Sequence, residues 1–239
     1  MNFFEASPGS PAECLATDEA LLEGCEAGAG VETLCFWEPR KPFVVVGYAN
    51  KIASEVHAEV CHCRGIPILR RCSGGGTVVQ MPGVLNYALV LSITAGGPTA
   101  NISRANQFIM ERNRRALAAA TGRPVLVRGH TDLAIGDKKF AGNAQRRHRH
   151  FLLFHGSILL TANLAWINDL LPMPSLEPDY RGNRSHLDFV MNLEVSADRV
   201  KTALQQEWDA RDPLPRPPWE RIAALARDKY SRPEWNNKF

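Results

Sequence analysis

No cysteine follows position 72 in this chain of 239 residues; the six present stand at 14, 25, 35, 61, 63 and 72. Crowding in the first third does not suit a disulfide framework in a chain this long. It points to a reducing compartment, and a cytoplasmic location is expected. Cys61-His62-Cys63 lacks a second ligand pair at zinc-site spacing, which argues against a structural metal module. No apolar run approaches the ~18 residues of a membrane span. Residues 1–11 have neither a basic nor an apolar signal segment, so neither a membrane partner nor secretion is expected. Strong charge of one sign is also missing. The formal net charge is +3, too small to argue for nucleic acid.

What remains is an ordinary globular composition, 45% apolar, in a chain long enough to bury a core without staples. No internal repeat or second unit is visible, and one domain over residues 1–239 is expected. The basic residues are clustered all the same, most densely in Arg146-Arg147-His148-Arg149-His150.

The most informative stretch is Leu69-Arg70-Arg71-Cys72-Ser73-Gly74-Gly75-Gly76-Thr77-Val78-Val79. Triple glycine fills no core and weakens a strand. It supplies bare N–H groups and room for a ligand against the main chain. Two arginines beside it add fixed positive charge, which suits a phosphate or a carboxylate. Pro67 to Leu69 reads as a strand entering the loop and Thr77 to Val79 as a β-branched strand leaving it.

Around this loop the chain mixes helices and strands. Pro11 to Gly28 reads as a helix with Leu15, Leu21, Leu22 and Cys25 on one face. Strands follow at 33–37 and 43–47. Ile52, Val56, Val60 and Cys63 then fall at the spacing of one helix over 52–63. Leu85 to Ser92 is a strand with Asn86 inside it. Asn101 caps a helix reaching about Ala120, with Ile102, Ala105, Ile109 and Leu117 as its apolar face. Strands return at 125–128, at 132–135 and from Lys139, with Gly136-Asp137 as a tight turn. Phe151 to Leu160 reads as a strand broken at His155-Gly156. Helices over 163–171, 196–208 and 219–230 close the chain. Without strict βαβ alternation the pattern predicts an α+β fold, a mixed and largely antiparallel β-sheet flanked by helices.

Lys138 and Lys139 are neighbours on a strand, so they point oppositely and one faces inward. Asn86 within Leu85-Asn86-Tyr87-Ala88-Leu89 is a buried amide needing partners, either a ligand or another side chain. Asp132 stands at a hairpin start, where it can be structural, can orient a lysine or can hold a magnesium ion. His155 interrupts an apolar run, as a core histidine or a site residue.

Taken together, three blocks resemble the lipoate–protein ligase A family. Arg70 to Val78 is similar to its R-R-x-S/T-G-G-G-A-V loop, and Asn86 matches the asparagine of the segment that follows. Thr131-Asp132-Leu133 with Lys138-Lys139-Phe140-Ala141-Gly142-Asn143-Ala144-Gln145 resembles its N-D-L…(R/K)-K-(I/V)-S/A-G-x-A block. His155-Gly156-Ser157-Ile158-Leu159 resembles its H-G-T/S-I/L-L. The likeness runs in order over about residues 15–193. Two departures stand out: Gln80-Met81 replaces a frequent His-Asp pair, and Phe154-His155 carries one histidine where the family often has two.

The resemblance implies the fold of the biotin and lipoate ligase catalytic domain. It selects Lys139 as the catalytic lysine, acting on acyl carbonyl and phosphate oxygens. It implies substrate binding by Arg70, Arg71, Ser73, Gly74, Gly75, Gly76, Thr77, Asn86, Asp132, Gly142, Ala144 and His155. Lipoate and ATP are the implied substrates, with Mg2+ at Asp132. Lipoate would be activated as lipoyl-adenylate and passed to a lysine of an acidic lipoyl acceptor domain. A narrow apolar tunnel, with Val44 to Val46, Val78 and Leu153 as candidates to line it, would hold the acyl chain. The chain ends about where the family's catalytic domain ends, so an accessory ligase subunit is expected in place of a further C-terminal domain. An octanoyltransferase working through a cysteine thioester is the first alternative, and a non-catalytic lipoate- or acceptor-binding subunit the second. No G-R-G-R-x-G-R-like loop favours a biotin ligase.

Overall fold

Strands buried on both faces need apolar residues at successive positions, and the runs Phe43-Val44-Val45-Val46 and Val84 to Leu91 meet that demand. The computed structural model describes residues 1–28 and 30–239. Its strands are β1 (Asn2–Glu5), β2 (Thr33–Trp37), β3 (Phe43–Val46), β4 (Ile68–Arg70), β5 (Val78–Gln80) and β6 (Val84–Ser92). They continue as β7 (Leu126–Arg128), β8 (Asp132–Ile135), β9 (Lys138–Arg147), β10 (Phe151–Leu159) and β11 (Asp212–Pro213). Among the described residues the main sheet runs β11-β1-β2-β6-β10-β9-β8-β7, and a small sheet runs β4-β3-β5. β1 is parallel to both its neighbours, β3 is parallel to β4, and the other pairs are antiparallel. The result is the mixed, largely antiparallel α+β architecture that the pattern predicts.

The helices are α1 (Pro11–Glu26), α2 (Ile52–Glu55), α3 (Ala58–Cys63), α4 (Ile102–Thr121), α5 (Ala165–Leu170), α6 (His186–Phe189), α7 (Ala197–Trp208), α8 (Trp219–Leu225) and α9 (Pro233–Asn236). Side chains alternate across the main sheet and so build two layers. Leu85, Tyr87, Leu89 and Leu91 of β6 join Leu152, Phe154 and Ile158 of β10 beneath α4 and α7. Ala88, Val90 and Leu153 face the other way, beneath α1 and α8. The small sheet is shared: Phe43 and Val45 join the α1 layer, while Val44 and Val46 pack in a third cluster with α5 and α6. Each Leu, Val, Ile or Phe among them contributes ~1.5–3 kcal/mol when fully buried.

Helix ends follow local chemistry. Ser10 accepts from the Glu13 N–H ahead of Pro11, and Asn101 accepts from the Arg104 N–H. Gly122 closes α4 at φ 67°.

Four expectations need correction. The helix over 52–63 is two helices. Val56 is extended (φ −142°, ψ 136°) and turned into the third cluster, and the His57 N–H donates to the Leu170 carbonyl at 2.9 Å. That packing outweighs one more helical turn. Ile102 is 58% exposed and lies outside the apolar face of its helix. The strand over 151–160 is not broken at His155-Gly156: His155 pairs with Ala88 and Gly156 with Tyr87 in continuous register. Val44, Val46 and Leu153 point into packed cores and line no tunnel.

Gly156 is needed in that strand for space. A Cβ there would overlap the Asn143 amide and come within 2.9 Å of the Tyr87 ring. Gly156→Ala should therefore cost roughly 1–3 kcal/mol, the usual penalty for overpacking, read from urea melts. Gly24 lies inside α1 with nothing near its missing Cβ. Gly24→Ala should instead stabilise by about 0.5–1 kcal/mol.

Candidate active site

Two cross-strand rows on the α1 face of the main sheet form the floor of a cavity. In the first, Trp37 pairs with Asn86, Asn86 with Ser157, Ser157 with Gly142, and Gly142 with Asp132. In the second, Cys35, Ala88, His155 and Ala144 stand side by side. Glycine and alanine in both rows leave the sheet uncovered there, and a cavity of about 1010 Å³ opens over it. Leu15, Trp37, Val45 and Val78 give it an apolar stretch, and residues 75–80 and 171–181 supply further walls.

The glycine loop takes its shape from the small sheet. β4 and β5 lie on either side of β3, so residues 71–77 must cross the end of β3. Gly47 follows β3, and a Cβ on it would overlap the Gly75 carbonyl. Beneath the loop, Arg71 is 7% exposed. Its Nε and Nη2 donate to the Gly74 carbonyl at 3.0 and 2.6 Å, and Nη2 also donates to the Gly76 carbonyl at 2.7 Å. Asn50 Nδ2 donates to the Gly75 carbonyl at 3.2 Å. All three glycine carbonyls are thus held from the protein side. The N–H groups of Gly74, Gly75 and Gly76 donate to no protein group among the described residues. Gly75 sits at φ 85°, where a side chain is strained. Burial lowers the Arg71 guanidinium to about 10, so it stays charged at neutral pH, and no carboxylate pairs with it among the described residues. A buried cation under free backbone donors has the chemistry to receive an anion.

Facing the same cavity, Lys139 Nζ pairs with Asp132 Oδ1 at 2.7 Å, and the Tyr180 hydroxyl donates to Asp132 Oδ2 at 2.9 Å. Burial, followed by the Asp132 charge, pushes the Tyr180 phenol upward, so it remains a donor. Lys138 is exposed on the opposite side of the strand. With both Asp132 oxygens engaged and no cluster of three potential ligands among the described residues, these side chains do not fit a magnesium site of the chain's own.

Asn86 closes a ring of amides. It exchanges two 2.8 Å hydrogen bonds with Gln80 and accepts from the Ser157 hydroxyl at 2.7 Å. The ring lies on the cavity wall and carries no charge, at the position where the resembling family frequently has His-Asp. His155 Nδ1 lies 2.6 Å from Asp18 Oδ2, and its Nε2 lies 2.6 Å from Ser73 Oγ.

Of the residues singled out from the sequence, Arg71, Gly75, Gly76, Thr77, Asn86, Asp132, Lys139, Gly142, Ala144 and His155 line the cavity, and Arg70, Ser73 and Gly74 do not. Arg70 is fully buried elsewhere, donating to the carbonyls of Gly47, Tyr48, Asn50 and Asn236. Asp18 and Tyr180 are further polar residues on the wall that the sequence reading did not select, and Asn143 also borders the cavity although its amide turns to the opposite face of the sheet, onto Tyr87 and Thr131. Asn143 stands inside the Lys138–Gln145 block and was within reach. Asp18 gave only a faint signal, an acidic residue in a helix with no polar face to put it on.

The model of the lipoyl protein ligase A/B catalytic domain matches residues 10–208. An octanoyltransferase of Oceanobacillus iheyensis is 27% identical, over 96% of this chain and 94% of its own. Subunit 1 of the lipoate–protein ligase A of Thermoplasma acidophilum is also 27% identical, over 96% and 93%. Among solved structures, a bipartite lipoate–protein ligase from Thermoplasma acidophilum superposes with a TM-score of 0.84 at 24% identity, covering 99% of this chain and 95% of that one. A lipoate–protein ligase A bound with ATP superposes with a TM-score of 0.79 at 23% identity, over 99% and 98%. At these identities the superpositions establish the fold.

Cys72 lies within the glycine-loop segment but off the cavity wall. Burial, with the nearby Glu19 charge, pushes its thiol up to about 12. Because the thiolate is the reactive form, Cys72 should resist alkylation at mildly alkaline pH while exposed Cys63 is labelled first. Peptide mapping of the modified protein checks this, and Cys72→Ser should keep full activity.

Proposed function

This chain belongs to the lipoyl protein ligase A/B catalytic-domain family, and from its site we infer that it runs the ATP-dependent branch of that chemistry, as a lipoate–protein ligase. Relatives carry both ligase and octanoyltransferase names. One observation favours the ligase: among the described residues no cysteine stands on the cavity wall, whereas Lys139 and the glycines Gly75 and Gly76, whose N–H groups have no protein acceptor, do. A thioester route needs a thiol there. An adenylate route needs positive charge where oxygen charge grows.

On this reading the whole chain is one catalytic domain. The acyl chain lies along Leu15, Trp37, Val45 and Val78, and its carboxylate meets the N–H groups of the glycine loop above Arg71. A carboxylate oxygen attacks the α-phosphorus of ATP, pyrophosphate leaves, and lipoyl-adenylate forms. The ε-amine of an acceptor lysine then attacks the acyl carbonyl and AMP leaves. Lys139, aimed by Asp132 and Tyr180, stabilises negative charge on the phosphate oxygens in the first step and on the carbonyl oxygen in the second. Magnesium enters only as part of the nucleotide substrate.

A lipoyl domain is the proposed acceptor, and a second subunit the proposed aid to activation, as in the bipartite Thermoplasma acidophilum ligase and its E2 lipoyl domain. Within the basic run, Arg147 is tied to the carbonyls of Thr99 and Ala100, whereas Arg146 and Arg149 are exposed. These two suit an acidic acceptor surface.

The deciding experiment incubates the chain with ATP, magnesium and lipoate or octanoate, and looks for the acyl-adenylate by mass spectrometry. A stable acyl-enzyme formed from acyl carrier protein without ATP would overturn the ligase reading. Lys139→Ala should lower both adenylate formation and acyl transfer on the order of 10²–10³-fold, the cost of losing one preorganised electrostatic group. Lys138→Ala should change neither. Arg146→Gln with Arg149→Gln should slow transfer to the acceptor at low salt and matter less at high salt, where screening removes steering anyway.

A further inference from the structure

Helix α1 sends one carboxylate to the site from above the cavity floor. Asp18 is 2% exposed. Its Oδ1 accepts from Trp37 Nε1 at 3.0 Å, and its Oδ2 lies 2.6 Å from His155 Nδ1. His155 Nε2 lies 2.6 Å from Ser73 Oγ, which accepts from Arg71 Nε at 3.1 Å.

Donor arithmetic gives this chain a direction. A guanidinium has no acceptor, so Ser73 must accept from Arg71. The single Ser73 proton then goes to His155 Nε2, because Ser73 has no exposure to solvent and its Oγ has no other acceptor among the described residues. His155 therefore carries its proton on Nδ1 and gives it to Asp18. A proton on Nε2 as well would leave the Ser73 hydroxyl with nothing to donate to, at the cost of a buried unsatisfied donor.

We propose that Asp18 is a positioning residue that orients Arg71 and the glycine loop through the one-way chain Arg71 to Ser73 to His155 to Asp18, with His155 held as the neutral Nδ1–H tautomer. Its carboxylate supplies, two side chains away, the negative charge that buried Arg71 lacks beside it. The functional part of this proposal rests on the glycine loop being the receptor for the acyl carboxylate. Ser73, His155 and Asp18 have the spacing of a nucleophilic triad. Ser73, however, lies off the cavity wall and its oxygen already accepts from Arg71, so the arrangement holds the loop and does not attack substrate.

Asparagine at 18 cannot preserve the chain. Its two terminal atoms would face two donors, Trp37 Nε1–H and His155 Nδ1–H, with one acceptor between them. If its oxygen takes the indole, its NH₂ forces the His155 proton onto Nε2, and the chain reverses.

The test combines the tautomer with a double-mutant cycle. In long-range ¹H–¹⁵N spectra of histidine-labelled full chain near neutral pH, the wild-type His155 signals, assigned by their loss in His155→Gln, should show protonated Nδ1 and bare Nε2. In Asp18→Asn the pattern should invert. Equilibrium titration with octanoate or lipoate should be weakened roughly 10- to 100-fold by Asp18→Asn, the range expected for a hydrogen bond to a charged group. Ser73→Ala should act similarly, and the double variant should be little worse than either single one, because the three links act as a unit. The same cycle measured on urea unfolding should be equally non-additive.

An Nε2–H or doubly protonated His155 in the wild type, additive effects in the unfolding cycle, or an acyl group recovered on Ser73 would each overturn the proposal. If neither acid binds the wild type, the ligase reading fails, while the tautomer and the unfolding cycle still decide the role of Asp18.

Discussion

Everything at the site depends on a buried cation that has no carboxylate beside it. Taking a guanidinium out of water is costly unless its protons are accepted. Arg71 finds its acceptors in the carbonyls of Gly74 and Gly76 and in Ser73. A peptide unit whose carbonyl points toward the protein points its N–H the other way. The free N–H of Gly75 therefore follows from the arginine on the Gly74 carbonyl, and that of Gly76 from Asn50 on the Gly75 carbonyl. Gly75 follows in turn, since a Cβ there would come 3.0 Å from the guanidinium at a φ that side chains avoid, whereas Gly74 and Gly76 face open space. On the proposed reading, the anion receptor and the buried charge are one arrangement seen from two sides.

Room for a ligand comes from a second constraint, the small residues of β6 and β9 that flank β10. Ala88, Gly142 and Ala144 leave the sheet bare where Asn86, Ser157 and His155 stand. Gly142 has its own reason, since a Cβ there would come 2.8 Å from Lys139 Nζ. On the opposite face, Asn143 accepts from the Tyr87 hydroxyl and donates to the Thr131 carbonyl at 2.6 Å. Tyr87 in turn accepts from Asn113, which accepts from Trp208 Nε1. This chain of buried partners ties the cavity floor to α4 and α7. An inserted side chain at Gly156 would therefore disturb a connected network.

Local chemistry made much of this legible in the chain. Consecutive glycines, an alternating pair of lysines and an amide within an apolar strand are each anomalous where they stand, and an anomaly can be read without knowing the fold. What stayed hidden depends on long-range contact. Asp18 is 137 residues from His155, and nothing within α1 says which acidic residue meets a histidine. Tyr180 sits among prolines whose path is set by packing against Phe189 and Asp132. The break at Val56 and the unbroken strand at Gly156 misled in opposite ways. Helical spacing overstated continuity in the first, and a glycine overstated interruption in the second, because tertiary partners decided both.

The two adjacent arginines show how far a motif can be read and where it stops. Side by side at the end of β4, they leave the chain on opposite sides. Arg71 goes under the glycine loop, while Arg70 reaches the carbonyls of Gly47, Tyr48 and Asn50 beyond β3. Its own backbone N–H donates to Asn236 Oδ1 at 2.9 Å, and its carbonyl accepts from Trp235 Nε1 at 2.8 Å. Arg70 thus pins α9 and the segment after β3 to the start of the loop whose far side Arg71 secures. Burial lowers the pKa of both side chains, and both are compensated mainly by carbonyl oxygens. Carbonyls spread over several peptide units fix more backbone than one carboxylate would. A loop of three glycines, with the largest conformational freedom to lose, needs that many points of attachment to hold its N–H groups in place.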